Sequence, residues 1–337
     1  MSHDRVALHN VEEPVPTDDG HRLERMPPEV RARFNDRSTE EYQRPDGVEI
    51  RFVGRSAEVT LSCPEGTCEV TPFWGPFQPR PDEHVTVGAE PTTVEVSVPE
   101  RVAGVDRARL DGRYFDPTVG RLVCFGDPLV LHEVSGDVRP PEGEELPGET
   151  LLTYGTSITQ GAFASRYPMT YGHQTARLLG ADHVNLGSGG SAFCENPVAD
   201  YIADRDDWDR AVLAVSVNMI AAGFDAGQFR DRVEYLVDTV AGAHPDKPVA
   251  AVTLFPFFAD LVPEADDDDL AATPTEYREQ LRAAVESADH DNLHLFEGPD
   301  LLQHPGGLST DLLHPMDHGM TEIAHRLADR LRAIEQV

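Results

Sequence analysis

Four short segments of this sequence carry residue types suited to nucleophilic attack and proton transfer. The first is Leu152-Thr153-Tyr154-Gly155-Thr156-Ser157-Ile158-Thr159-Gln160-Gly161. An apolar strand runs into a small turn, Gly155 permits a tight backbone there, and Ser157 stands at the turn. Alone, such a serine reads as a helix cap. A phosphate-binding P-loop is excluded, because no Gly-Lys-Ser/Thr follows. The second segment, Asn185-Leu186-Gly187-Ser188-Gly189-Gly190-Ser191-Ala192, can point a backbone N–H into a site without side-chain obstruction. Alone it is a βα turn. The third, Val215-Ser216-Val217-Asn218-Met219, ends an apolar run with a side-chain amide that can donate a hydrogen bond or simply close a turn. The fourth is Thr310-Asp311-Leu312-Leu313-His314-Pro315. Its Asp and His, three apart, can bond within one turn, so that the carboxylate fixes the imidazole tautomer.

The elements that must position these residues alternate between strand and helix. Thr150–Tyr154, His183–Leu186, Ala211–Val217, Val249–Phe255 and Leu293–Phe296 are short, nearly continuous apolar runs, as expected for strands covered on both faces. Tyr171–Leu179 reads as a helix. Phe229, Val233, Leu236, Val237 and Val240 form a 3.6-residue stripe, as do Tyr277, Leu281, Ala284 and Val285. Ile323, Leu327, Leu331 and Ile334 mark a terminal amphipathic helix. This alternation predicts an α/β domain around a parallel five-stranded sheet. The acidic run Asp266–Asp269 reads as a solvated loop or helix lead-in rather than a metal site.

The first half has a different texture. Val48–Val53, Ala57–Leu61, Thr93–Val98, Arg121–Phe125 and Leu129–Val134 are short β-type runs separated by Gly, Pro and Asp, and they predict an antiparallel β-sandwich. Asp137–Gly148, rich in Pro, Glu and Gly, reads as a linker that cannot form a helix. The expected division is an N-terminal arm at 1–35, a β-sandwich domain at 36–145 and the α/β domain at 146–337.

Taken together and in this order, the four segments resemble the blocks of the SGNH (GDSL-like) hydrolases, in the branch with an N-terminal β-sandwich. The resemblance covers roughly residues 150–337. It implies a flavodoxin-like three-layer SGNH hydrolase domain with strand order 2-1-3-4-5, preceded by an antiparallel, jelly-roll-like β-sandwich. It also implies the roles: Ser157 as nucleophile, His314 and Asp311 completing the triad, and the N–H groups of Ser157 and Gly190 with the Asn218 amide as oxyanion hole. Gly189 is the neighbour that could replace Gly190, and His318 is the rival of His314, ranked lower because Pro315 follows His314. Departures are Thr156 in place of the namesake aspartate, Ser216 in place of a glycine and Met219 in place of an aspartate. In that order the first strand lies between the second and third, so Ser157, Gly190 and Asn218 emerge side by side at the switch point. A long loop, 297–320, must return Asp311 and His314.

The implied activity is a carboxylic ester hydrolase working through an acyl-enzyme on Ser157, with no cofactor and no metal. Its expected partner is a small-molecule ester, short-chain acyl esters of small alcohols or sugars by analogy, while its oligomeric state stays open. An acyltransferase using the same acyl-enzyme is the alternative. A carbohydrate-binding protein with an inactive hydrolase domain ranks below it. Its one feature is the aromatic loop Thr71-Pro72-Phe73-Trp74-Gly75-Pro76-Phe77, which otherwise reads as hydrophobic packing between the sandwich and the catalytic half.

The 337 residues include 60 acidic and 28 basic ones, a formal net charge of −32. Lys247 is the only lysine. This balance argues against nucleic acid as a partner and resembles haloarchaeal cytoplasmic proteins. Self-repulsion of this size is relieved when salt shortens the Debye length to about 3 Å at 1 M. Folding and activity are therefore expected to require molar KCl or NaCl; full activity and an unchanged Tm in low-salt buffer would contradict this. No run of apolar residues is long enough for a membrane span, and Met1–Asn10 lacks the apolar core of a secretory signal, so a cytoplasmic location is expected. Cys63, Cys68, Cys124 and Cys194 are expected as free thiols without a role, since the C-x4-C spacing of the first two has no second pair to complete a zinc site.

Overall fold

The structure, a computed structural model, describes residues 5–110, 114–263 and 270–334; Asp266–Asp269 lies outside the described residues. The chain divides into two compact units. One gathers residues up to Arg31, Tyr42–Glu149 and Gly180–Val184; the other gathers Ala32–Glu41, Thr150–Leu179 and the residues from Asn185 onward. Among the described residues no helix is long and apolar enough to cross a membrane.

The first unit is built from alternation. Along Ser56–Ser62, Ala57, Val59 and Leu61 are buried while Ser56 and Glu58 are exposed, the period-two pattern of a half-covered strand. Its strands are β1 (Ala7–His9), β2 (Val15–Pro16), β3 (His21–Arg22), β4 (Glu49–Val53), β5 (Ser56–Ser62), β6 (Cys68–Trp74), β7 (Val85–Val87), β8 (Thr92–Ser97), β9 (Val119–Gly126) and β10 (Val130–Ser135). They form two five-stranded antiparallel sheets, ordered β1-β4-β9-β6-β7 and β2-β3-β10-β5-β8. Ile50, Phe52, Val70 and Leu122 of one sheet share a core with Val59, Leu61, Val94 and Leu131 of the other. Strands β1 to β3 come from the stretch expected as an arm. Their sequences of two or three residues carry little strand signal, and they are held by pairing of β1 with β4, β3 with β10 and β2 with β3. The expected linker is tied down as well. Val53 and Arg139 exchange backbone hydrogen bonds, and a single 3-10 turn forms at Gly143–Glu145.

Of the three rings in the aromatic loop, two pack inward and Phe77 is half-buried. Phe73 and Trp74 are buried, and Trp74 meets the edge of Phe52 at 5.8 Å between ring centroids. Cys63, Cys68 and Cys124 are buried free thiols in this unit. Burial pushes the Cys63 thiol up to about 12, which keeps it protonated and unreactive.

Beneath the sheet surface lies a buried ionic cluster. Glu49 accepts two hydrogen bonds from Arg121, at 2.5 and 2.8 Å, and one from Arg51 at 2.8 Å. Arg51 in turn donates two bonds of 2.6 Å to Asp182. Phe115 lies 3.7 Å from the Arg121 guanidinium carbon. Burial by itself would raise the pKa of Glu49, but Arg121 and Arg51 outweigh it and hold the carboxyl well below its ordinary value. The folded state thus binds this proton more weakly than the unfolded chain. The resulting stability is present above about pH 4.5 and is lost as pH falls through the lowered folded value. Glu49→Gln is expected to destabilise by about 3–5 kcal/mol, since the buried Arg121 guanidinium loses its counter-charge and Arg51 keeps only Asp182. It should also flatten the acid limb of a Tm-against-pH curve, and an unchanged acid limb would contradict the account.

The parallel sheet has strands β11 (Thr150–Gly155), β12 (Asp182–Gly187), β13 (Arg210–Ala214), β14 (Val249–Val252) and β15 (Leu293–Phe296), and all but the first three residues of β12 belong to the second unit. Their order is β12-β11-β13-β14-β15, with parallel register from β11 through β13 and β14 to β15. Right-handed crossovers put the helix after β11 on one face and the later crossover helices on the other. The helix pairings agree: Tyr171–Leu179 packs with Asp317–Ile334, while Ala226–Ala243 packs with both Asn196–Asp204 and Pro274–Ala288. Phe229 stacks on Tyr277 at 4.1 Å in the latter contact. Two strands are shorter than their apolar runs suggest. β13 ends at Ala214 rather than Val217, and β14 ends at Val252 rather than Phe255. The runs stay apolar because Val215, Val217, Leu254 and Phe255 line a pocket instead of continuing the sheet.

Candidate active site

β11 delivers the nucleophile candidate. Gly155 is its last residue, and a Cβ there would come within 2.6 Å of the Ala214 carbonyl oxygen and 2.2 Å of Thr159 Oγ1. Only glycine lets the chain leave the sheet this close to β13. Thr156 then caps a one-turn helix, Ser157–Gln160, its hydroxyl accepting from the Ile158 N–H at 3.3 Å. Thr156 thus supplies the oxygen acceptor that the expected aspartate would have supplied.

The returning loop after β15 delivers the base candidate. It is pinned by the Met316 N–H to the Gly307 carbonyl and by the Ser309 N–H to the His314 carbonyl, at 2.9 and 2.8 Å. His314 Nε2 lies 2.8 Å from Ser157 Oγ, and His314 Nδ1 lies 2.7 Å from Asp311 Oδ2. Asp311 Oδ1 also accepts from the Ser309 hydroxyl at 2.5 Å and from the N–H groups of Leu313 and His314 at 2.9 and 3.0 Å. Burial pushes the Asp311 carboxyl up, but the bonds from Ser309, His314 and Leu313 prevail and hold it well below the usual carboxylate range. A fixed negative charge therefore faces Nδ1, which makes that nitrogen the protonated one and leaves Nε2 to accept from Ser157. His318, the rival, is an exposed residue at the start of the terminal helix.

Asn218 lies in the short helix Val217–Ala221, just past β13. Its Oδ1 accepts from the Ala192 N–H at 3.2 Å. Since an N–H can bond only to the oxygen, the amide orientation is determined, and Nδ2 is left as donor. Ser216 donates its hydroxyl to the Ala192 carbonyl. The serine that replaces the expected glycine thus holds the other side of the same residue. Gly190 adopts φ +68°, a conformation suited to glycine. Gly187 is needed for another reason: a Cβ there would come within 2.2 Å of the Gln160 nitrogen.

Several supporting residues escaped the sequence reading. Asn185 donates to the Gln160 carbonyl at 3.2 Å and accepts from the Gly187 N–H at 2.9 Å, linking the second segment to the Ser157 helix. The helix Asp36–Glu41 joins this unit. Arg37 donates to the Gly189 carbonyl at 2.9 Å, Ser38 donates to the Ser191 carbonyl at 3.0 Å, and Glu41 accepts from Gln160 at 2.9 Å. Asn35 caps this helix through the Ser38 N–H at 3.0 Å. The N-cap residue was a readable signal for a helix, but nothing in the sequence said where it docks.

Beside Ser157 an apolar pocket opens, lined by Ile158, Val215, Val217, Leu254, Phe255, Phe257 and Leu313 among others. Its cavity volume is only about 20 Å³, far below that of a drug-sized ligand pocket. Cys194, the fourth cysteine, is buried and free, and burial raises its thiol to about 12.

Comparison with known proteins follows the same lines. Among curated proteins none matches this chain. Solved structures of similar fold span nearly its whole length. A salicylyl-acyltransferase from a tetracycline biosynthetic pathway has a TM-score of 0.75 at 16% identity, covering 98% of this chain and 96% of its own. A family two carbohydrate esterase from Cellvibrio japonicus has a TM-score of 0.64 at 15% identity, covering 98% and 95%. An acetyl xylan esterase from the rumen bacterium Butyrivibrio proteoclasticus has a TM-score of 0.57 at 11% identity, covering 99% and 96%. At these identities the likeness is one of fold. The family model that matches residues 149–332 is that of the GDSL-like lipase/acylhydrolases. The chain belongs to the GDSL-like lipase/acylhydrolase family.

Proposed function

We propose that this protein is a serine esterase that cleaves short-chain carboxylic esters through an acyl-enzyme on Ser157. The observation that carries the reading is the continuous chain Ser157 Oγ, His314, Asp311, with links of 2.8 and 2.7 Å. Ser157 attacks the ester carbonyl while His314 Nε2 takes its proton. Asp311 keeps the imidazole in the required tautomer and offsets the charge it gains. The oxyanion receives the N–H groups of Ser157 and Gly190 and the Nδ2–H of Asn218. His314 then protonates the leaving alcohol, and water, activated in the same way, releases the acid. The confined apolar pocket next to the Ser157 helix supports a short acyl group over a long one. The acidic composition supports a salt-rich cytoplasm as its setting.

The test is active-site labelling. A fluorophosphonate probe is expected to modify the protein once, at Ser157, and Ser157→Ala is expected to abolish the signal. Labelling that survives this substitution would overturn the nucleophile assignment. Transfer of the acyl group to an alcohol is the second reading, favoured by the fold shared with a salicylyl-acyltransferase. It requires only that an alcohol replace water at the second step. Release of free acetate from p-nitrophenyl acetate without added alcohol favours hydrolysis; a product formed only with added alcohol favours transfer.

A further inference from the structure

Phe163 stands out among the residues around Ser157. It is a large apolar side chain, 50% exposed, where most of its kind are buried. Its backbone adopts φ +68°, a region that a bulky residue enters only when its surroundings impose it. The imposition is visible on both sides. The Ser157 helix ends at Gly161 in a left-handed turn, the Ala162 N–H returns to the Ser157 carbonyl at 2.9 Å, and the Ser165 N–H is held by Asp317 at 2.8 Å. Chain strain and exposed apolar surface both disfavour this arrangement. What it achieves is a ring set against His314, 4.6 Å between centroids at a 34° tilt. Met316, two residues past His314, is the other large apolar side chain left exposed in this loop, at 43%.

Resting on the esterase reading above, we propose that Phe163 receives the alcohol portion of the ester and selects alcohols with a flat apolar face, a pyranose or an aromatic ring. The leaving oxygen must take its proton from His314. The alcohol therefore departs on the imidazole side, where the Phe163 ring stands. An apolar ring face stacked on Phe163 is removed from water on both partners, whereas a small alkyl alcohol covers little of it. Phe163 is thus a specificity residue and transfers no proton itself.

The experiment holds the acyl group constant and varies the alcohol. kcat/KM is measured for phenyl acetate, a 6-O-acetylated methyl glucopyranoside and ethyl acetate, on the wild-type chain, Phe163→Ala and Phe163→Trp. Phe163→Ala is expected to lower the preference for one or both ring-bearing esters over ethyl acetate by roughly three- to tenfold, with Phe163→Trp restoring it. Which ring loses preference identifies the alcohol. Equal losses on all three esters would mean that Phe163 only steadies His314, and would overturn the proposal; so would an unchanged preference. Fluorophosphonate labelling of Phe163→Ala at the wild-type rate shows that the Ser157–His314 pair is intact in the variant. If the wild-type chain hydrolyses none of the three esters, the esterase reading fails and this proposal with it. Hydrolysis with unaltered selectivity defeats this proposal alone.

Discussion

His314→Ala is expected to lower kcat on an acetate ester by about 10⁴–10⁶, and the double variant with Ser157→Ala should be little worse than either single one. Non-additivity follows from shared work. Ser157 is a weak nucleophile until Nε2 removes its proton, and the proton Nε2 gives to the leaving alcohol is the one it took from Ser157. The geometry suits transfer, with Ser157 Oγ and His314 Nε2 at 2.8 Å. Asp311 does not limit this at mild acidity. Burial alone would raise its carboxyl, but donors from Ser309, His314 and Leu313 outweigh that and hold it well below the ordinary value. It therefore stays ionised as pH falls through the range where free carboxylates titrate. Steady-state kinetics on the two single variants and the double variant check the point. If His314→Ala keeps more than a hundredth of the activity, or if the two losses multiply, the base is elsewhere.

Asn218→Ala is expected to lower kcat by on the order of 10²–10³ while KM changes little. In the proposed mechanism the amide acts on charge that exists only in the transition state, so its loss should weaken substrate binding hardly at all. Its orientation is fixed before substrate arrives, because the Ala192 N–H holds Oδ1 at 3.2 Å and Ser216 holds the Ala192 carbonyl. Asn218→Asp should be at least as damaging, since a carboxylate can occupy the same place but presents negative charge where a donor is needed. Ser216→Ala keeps the donor and loosens only its support, so its loss should be smaller. Equal kcat for Asn218→Ala and the wild type would remove the amide from the mechanism.

Much of this was readable residue by residue. The strands β11, β12 and β15 match their apolar runs to within one residue at each end, because a strand covered on both faces has to be apolar throughout. The same rule misleads at β13 and β14. Their apolar runs continue past the sheet into Val215, Val217, Leu254 and Phe255, where the demand for apolar residues comes from a pocket. Trp74 was open to two readings, sugar platform or packing. Its edge contact with Phe52 places the ring in the sandwich core.

The helix Asp36–Glu41 marks the limit from the other side. Nothing in its six residues tells that Arg37, Ser38 and Glu41 hold Gly189, Ser191 and Gln160. Those bonds join positions more than a hundred residues apart, and no periodicity records such a pairing. Phe163 is similar: its type suggests a core residue, and only its left-handed backbone and exposure set it apart.

By itself, the sequence determined the kinds of element and the kinds of group, because both follow from local rules: hydrophobic period, turn chemistry, and the short list of side chains able to attack, abstract or donate. Tertiary structure decided which of those groups meet. The encounter of Ser157 with His314, the direction of the Asn218 amide and the placing of a strained aromatic ring beside the imidazole are all set by contacts between distant stretches of chain. Such contacts are chosen by packing and hydrogen-bond satisfaction over the whole fold, which no single segment encodes.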